Sequence, residues 1–199
     1  MAHNDPDEEN NLNEDEWSLW WDARLAAMET ILGKPENIVL HGMIPFDLGA
    51  EMGGTPDLVY FHEHLDGVVS ATAELIGCDD QIRNSQGNYE LMICTREDKE
   101  WGDNIISQLA HYTLESELNP GDTIDIGPAT PEGSTIEAFL FCDYGRFTVR
   151  DQDAGLLLCM GITGDELAEC RAGNRLDVEA ALNAAGVFPF TDLFRKSVL

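Results

Sequence analysis

His62-Glu63-His64 is the pattern in this 199-residue chain that comes nearest to a metal site. It follows the run Asp57-Leu58-Val59-Tyr60-Phe61. Alternate residues of an extended segment share one face, so His62 and His64 would offer two imidazoles together. Two ligands at this spacing still need one or two more from elsewhere, and the same residues suit a solvated strand end before the turn at Asp66-Gly67. Cys78-Asp79-Asp80 is the other place to look for a nucleophile. A thiolate needs positive surroundings, whereas adjacent carboxylates raise a thiol's pKa, so an inert cysteine at a strand end is expected. The GxxxxGK[ST] phosphate loop, the GxGxxG loop, the GxSxG elbow and the HExxH helix are not spelled in the sequence. The reading is therefore of a protein that is not an enzyme, with no catalytic residue, no metal and no cofactor.

The remaining cysteines and the overall charge extend that reading. Cys78, Cys94, Cys142, Cys159 and Cys170 form no CxxC pair and no zinc-ligand spacing, and most lie in apolar runs. Buried free thiols in a reducing compartment are expected. Thirty-eight acidic against 11 basic residues give a formal charge of −27. Such a surface repels nucleic-acid phosphates and anionic lipid headgroups, and it steers a basic partner inward at low salt. An equally negative surface also serves solubility alone, as in salt-tolerant organisms, so charge by itself names no partner. The acidic start Met1–Glu16 has neither the basic end nor the apolar core of a signal peptide, and no apolar run approaches the ~20 residues of a membrane helix. The expectation is a cytoplasmic protein that binds neither nucleic acid nor membrane.

These residues must be positioned by elements whose signals are clear. Residues 1–12 carry few apolar side chains and read as an acidic, disordered tail, with one domain over residues 13–199. A helix is predicted to begin near Asn13, with Trp17, Trp20, Trp21, Leu25, Met28, Ile31 and Leu32 at helical spacing and Gly33-Lys34-Pro35 ending it. The three tryptophans read as core packing against a sheet. Strands are predicted at Leu58–His62, Val68–Leu75, Tyr89–Cys94, Thr123–Ile126, Ile136–Phe141 and Leu156–Ile162. Further helices are predicted over Trp101–Leu118, Gly164–Ala172 and Leu176–Ala185. Strands in groups, with helices at the start, middle and end, predict an α+β domain with a mixed sheet flanked by helices.

Four passages then carry a family likeness: AHYTLESE (Ala110–Glu117), PGDTIDIG (Pro120–Gly127), GLLLCMGITGDELAECRAG (Gly155–Gly173) and FTDLFRKS (Phe190–Ser197). Looser passages precede them, Pro56–Tyr60, Gly67–Leu75 and Gly87–Leu91. In this order and spacing the chain resembles the Suppressor-of-fused domain family over about Trp17–Val198. The resemblance implies a single Suppressor-of-fused-like domain that binds and restrains another protein. In animal members this domain is the N-terminal half of a two-domain protein that sequesters transcription factors of the Hedgehog pathway. No second half is matched here, so a clamp between two domains is not carried over. Single-domain bacterial members resemble immunity proteins of toxin systems, which implies an antitoxin with a basic toxin as partner. The alternative is an intracellular regulatory scaffold that binds a peptide of a nontoxic protein. Two positions match the family's partner-contacting residues, Tyr112 in AHYTLE and Asp122 in Pro-Gly-Asp, and both also have local explanations, the apolar helix face and the turn after Gly121. A strand edge beside them would let a partner peptide add as an extra strand. Arg195-Lys196, the clearest basic patch, is left without a role.

Overall fold

The computed structural model describes residues 6–96 and 99–199. Helix α1 (Pro6–Leu32) ends where predicted, with the Gly33 N–H donating to the Glu29 carbonyl. It begins well before Asn13. Proline suits a first helical position because its missing N–H has no intrahelical partner to lose. The helix thus takes in most of the segment read as a tail; residues 1–5 lie outside the described residues.

Seven strands follow: β1 (Val39–Leu40), β2 (Leu58–Phe61), β3 (Val68–Thr72), β4 (Asn88–Thr95), β5 (Thr123–Asp125), β6 (Ile136–Val149) and β7 (Gln152–Thr163). Helix α2 (Lys99–Glu115) links β4 to β5, and α3 (Gly164–Glu169) and α4 (Arg175–Ala184) follow β7. The strands form one mixed sheet in the order β1-β2-β3-β4-β7-β6-β5. It consists of two antiparallel meanders, β1 to β4 and β5 to β7, joined by a single parallel pair, β4 with β7. The predicted α+β class, a mixed sheet with helices against it, is what the chain adopts.

Alternation along the strands divides the core between the two faces. Val59, Phe61, Met92, Cys94, Leu156, Leu158 and Met160 face α1, α3 and α4, where Met28, Leu32, Leu167, Val178 and Leu182 are buried. Leu58, Tyr60, Leu91, Ile93, Leu157 and Cys159 face α2 and its Ile105, Ile106, Leu109 and Ala110. Both faces being covered explains why β2 and β4 are buried at every position; β2 reads as an unbroken apolar run, and β4 is apolar apart from the buried Asn88, Glu90 and Thr95. Helix α1 lies close to β6 at Gly145, where a Cβ would fall 2.5 Å from Ile31 Cδ1; the β6/β7 register also shifts there.

The tryptophan stripe divides. Trp21 packs on the main cluster and Trp20 on a smaller one around Ile76 and Val149, but Trp17 is 47% exposed and stacks on Trp21, with ring centroids 5.3 Å apart. Trp17 is therefore not core. Spacing at 3.6 residues per turn fixes the side of the helix a residue lies on, not whether another element covers it there.

Candidate functional site

Strand β5 is an edge strand, bonded to β6 alone. The Phe141 N–H donates to the Asp122 carbonyl at 3.0 Å, and the Ile126 N–H donates to the Glu137 carbonyl at 2.8 Å. Antiparallel ladders alternate, so the residues between these inward-bonded positions, Thr123 and Asp125, turn their N–H and C=O groups away from β6. That outward row is what a partner strand needs. Ile124 packs inward on the α2 side and holds the short strand in register.

The two residues singled out by sequence both precede this edge in the chain. Tyr112, in the last turns of α2, is 41% exposed. Asp122 opens β5: its carboxylate accepts the Asn119 N–H at 2.8 Å, and its own N–H donates to the Asn119 carbonyl. The Asp122 contacts define the turn over Asn119-Pro120-Gly121, a local role that leaves the carboxylate at the surface. Asp122 and Glu117 also lie near enough to buried Tyr89 to add to the rise that burial gives its phenol pKa.

Other signature residues hold the fold. Glu90 of Tyr-Glu-Leu is wholly buried, and its carboxylate accepts the N–H groups of Leu75 and Ile76 and the Thr72 hydroxyl, the last at 2.6 Å. Burial raises its pKa, and Arg24 and these donors oppose the rise. Glu166 of Gly-Asp-Glu-Leu and Arg195 of Phe-Arg-Lys form a bidentate pair at 2.6 and 2.5 Å, with side chains 0% and 6% exposed. Glu166 also accepts the N–H groups of Thr163 and Val198, while Arg195 donates to the Gly161 carbonyl. Arg195 is thus an interior clasp for the C-terminal strap and not a basic surface patch. Its carboxylate partner twenty-nine positions away gave no local sequence signal.

The strap runs into the sheet. The Thr191 N–H donates to the Cys94 carbonyl at 2.8 Å, and its hydroxyl accepts the Gly161 N–H and donates to the Cys159 carbonyl. One threonine thereby joins the end of β4 to β7, with Phe190 bridged in parallel to Cys94.

The two histidines do not converge. His62 Nε2 lies 3.4 Å from Glu36 Oε1, whereas His64 Nε2 is 2.7 Å from the Tyr144 hydroxyl. Burial lowers the His64 pKa. Among the described residues no three His, Cys, Asp or Glu side chains are grouped as a metal site. Burial raises the Cys78 thiol pKa; the Asp80 and Gln81 backbone N–H groups oppose the rise and the Asp80 and Glu90 charges add to it, so the net shift is upward. No helix among the described residues is long and apolar enough to cross a membrane.

A two-meander mixed sheet covered by helices, with a clasped C-terminal strap and an open β5 edge, defines the class: an α+β domain of the Suppressor-of-fused type. The sequence profile of Suppressor of fused protein (SUFU) matches residues 73–196, more than half of the chain, which belongs to that family. Three solved structures share the fold. A SUFU homologue from Neisseria gonorrhoeae FA 1090 aligns at TM-score 0.66 with 16% identity, over 90% of this chain and 97% of that one. The Sufu-Fu complex aligns at 0.69 with 14% identity, over 89% and 91%. Drosophila Suppressor of Fused aligns at 0.64 with 14% identity over 88% of this chain, which spans about half (51%) of the fly protein. No curated protein sequence matches the chain.

Proposed function

We propose that this chain is a noncatalytic binding module that sequesters or inhibits a protein partner, and that it serves as the immunity protein of a basic toxin. The observation that carries the reading is the open β5 edge, with the outward backbone of Thr123 and Asp125 directly after Asp122 and the exposed Tyr112 earlier in the chain. A partner strand would gain main-chain hydrogen bonds there, while Tyr112 and Asp122 would select its side chains. The formal charge of −27 favours a basic partner and speeds its capture at low salt. No residue in this region has the activated base or nucleophile that chemistry would require.

The test is affinity capture from the native cell lysate, using wild type, a Tyr112→Ala/Asp122→Arg variant and a Thr123→Pro variant, each checked for folding. Proline at 123 removes an outward N–H and leaves the β6 ladder intact. The expected result is a basic protein retained by the wild type, released by salt and lost by both variants; its expression should arrest growth, and co-expression of this chain should restore it. Equal retention by all three baits would refute the edge.

A second reading is a regulatory scaffold for a nontoxic protein. It is favoured by the likeness to a Sufu solved in complex with Fu. A captured protein that is harmless on expression would select this reading over immunity.

A further inference from the structure

We infer that a groove between α1 and the turn at Phe46–Leu48 is a second docking site, which receives an arginine-bearing segment of a protein partner. It adds a contact to the binding reading above and stands without it, because β3, whose exit loop forms one wall, is separated from β5 by three strands. The groove has a volume of about 570 Å³. Its apolar surface comes from Trp17 and Trp20 of α1, Phe46 of the 3-10 turn, Ile76 after β3 and Leu114 of α2.

The walls are built rather than incidental. Phe46 is held on α2 by His111, with ring centroids 4.8 Å apart, and His111 Nε2 is 2.6 Å from the Gly54 carbonyl oxygen. The base of the same loop is fixed by Asp57, which accepts the Gly42 N–H and pairs with His41 Nδ1 at 2.7 Å. On the opposite wall Trp17 is fixed by stacking on Trp21, so a half-exposed indole is offered at low entropic cost.

Three carboxylates line the groove, Asp47, Glu74 and Asp80. Among the described residues none of them forms an ion pair. Arg24 is the cation among the lining residues, and it is already engaged: it is buried, its Nε donates to the Trp20 carbonyl, and it lies in the field of Glu90, Glu74 and Asp57. Aromatic surface and carboxylates without a free cation form a receptor for a guanidinium, whose planar face stacks on indole while its edge donates to carboxylates.

The protein already uses this recipe once. The Arg150 guanidinium sits 4.8 Å from the Trp20 ring centroid and pairs with Glu16 one turn earlier on α1. Trp17 with Asp47 and Asp80 offers the same combination to an arginine from outside, with Phe46, Ile76 and Leu114 to receive an adjacent apolar side chain.

The test uses the full chain and a fluorescein-labelled peptide of alternating arginine and leucine, read by fluorescence anisotropy at low salt, beside the same peptide with glutamate for arginine. The arginine peptide should bind and the glutamate peptide should not. Trp17→Ala should weaken binding about tenfold and Trp17→Phe by less, since a smaller π face remains. Asp47→Asn/Asp80→Asn should weaken it to a similar degree, whereas Glu132→Gln/Asp165→Asn, with the same charge change at distant exposed positions, should leave it unchanged. An equal loss in that control would mean attraction to net charge only and would overturn the site. So would no binding by the wild type, or full binding by Trp17→Ala with its fold intact. None of these outcomes bears on the β5 edge, which the capture experiment tests separately.

Discussion

Replacing Arg195 with alanine should be among the most damaging single changes available in this chain. The substitution withdraws two charge-assisted bonds from Glu166, at 2.6 and 2.5 Å, and leaves a carboxylate with no exposed side-chain surface facing only the N–H groups of Thr163 and Val198. Breaking one side of a buried ion pair costs about 3–5 kcal/mol, and two buried bonds to charged groups at roughly 1.5–3 kcal/mol each lead to the same range. For a domain of this size that loss corresponds to a fall in Tm of about 6–20 °C. Urea unfolding followed by tryptophan fluorescence gives the free energy directly. A Glu166→Leu/Arg195→Met variant removes both charges and fills their space, so it should recover part of the loss, the remainder being the Thr163 and Val198 N–H groups and the Gly161 carbonyl left without their partners. If Arg195→Ala costs under about 1 kcal/mol, the strap is held by its apolar contacts and the clasp is incidental.

Stability should also vary with pH in opposite senses over two ranges. Burial raises the carboxyl pKa values of Glu74, Glu90 and Asp103, so the folded state holds these protons more tightly; stability should rise as pH falls from 7 towards the ordinary carboxylate range. Below that range the trend reverses at Glu166: burial alone would raise its carboxyl, but Arg195 and the Thr163 and Val198 N–H groups hold it below its ordinary value, so its contribution is lost as pH falls further. Urea midpoints across pH should show the maximum, and Asp103→Asn should flatten its neutral side. Gly77→Ala should cost about 1–3 kcal/mol by thermal melting, because φ is +94° and the new Cβ would lie 2.8 Å from Trp20 Cε3. Burial pushes the Cys94 and Cys142 thiols up to about 12 and that of Cys159 higher still, so a disulfide reagent at neutral pH should spare these three until the protein is unfolded.

The central sheet was legible because its strands are buried on both faces and bounded by turn residues, as at Leu58–Phe61 and Asn88–Thr95. The β6–β7 ribbon was read short at both inner ends. Beyond Phe141 its residues alternate with exposed Asp143, Arg146 and Thr148, and its turn is Arg150-Asp151, both at positive φ without the glycine that would announce a hairpin. Strand β1, two residues long, carries too little pattern to read. Tyr112 and Asp122 could be located as exposed positions near a strand, but the openness of β5 depends on strand order, which no local spacing encodes. The groove escaped notice for a related reason: Trp17 follows the periodicity of core residues, and spacing alone does not show that its indole is left 47% exposed. The partners Glu166 and Arg195 needed the fold to bring them together.

The single parallel junction between the meanders bears on the order of folding. Each meander pairs segments close in sequence, and β6 with β7 zips from a tight turn, so both can form early at small loop-closure cost. The pairs of β4 with β7, from Asn88 with Ala154 to Met92 with Leu158, must instead close loops that enclose all of α2, β5 and β6. Contacts of that separation are slow to form. The rate-limiting event should therefore be the meeting of two preformed half-sheets, with Thr191 sealing the seam only after β4 and β7 have met.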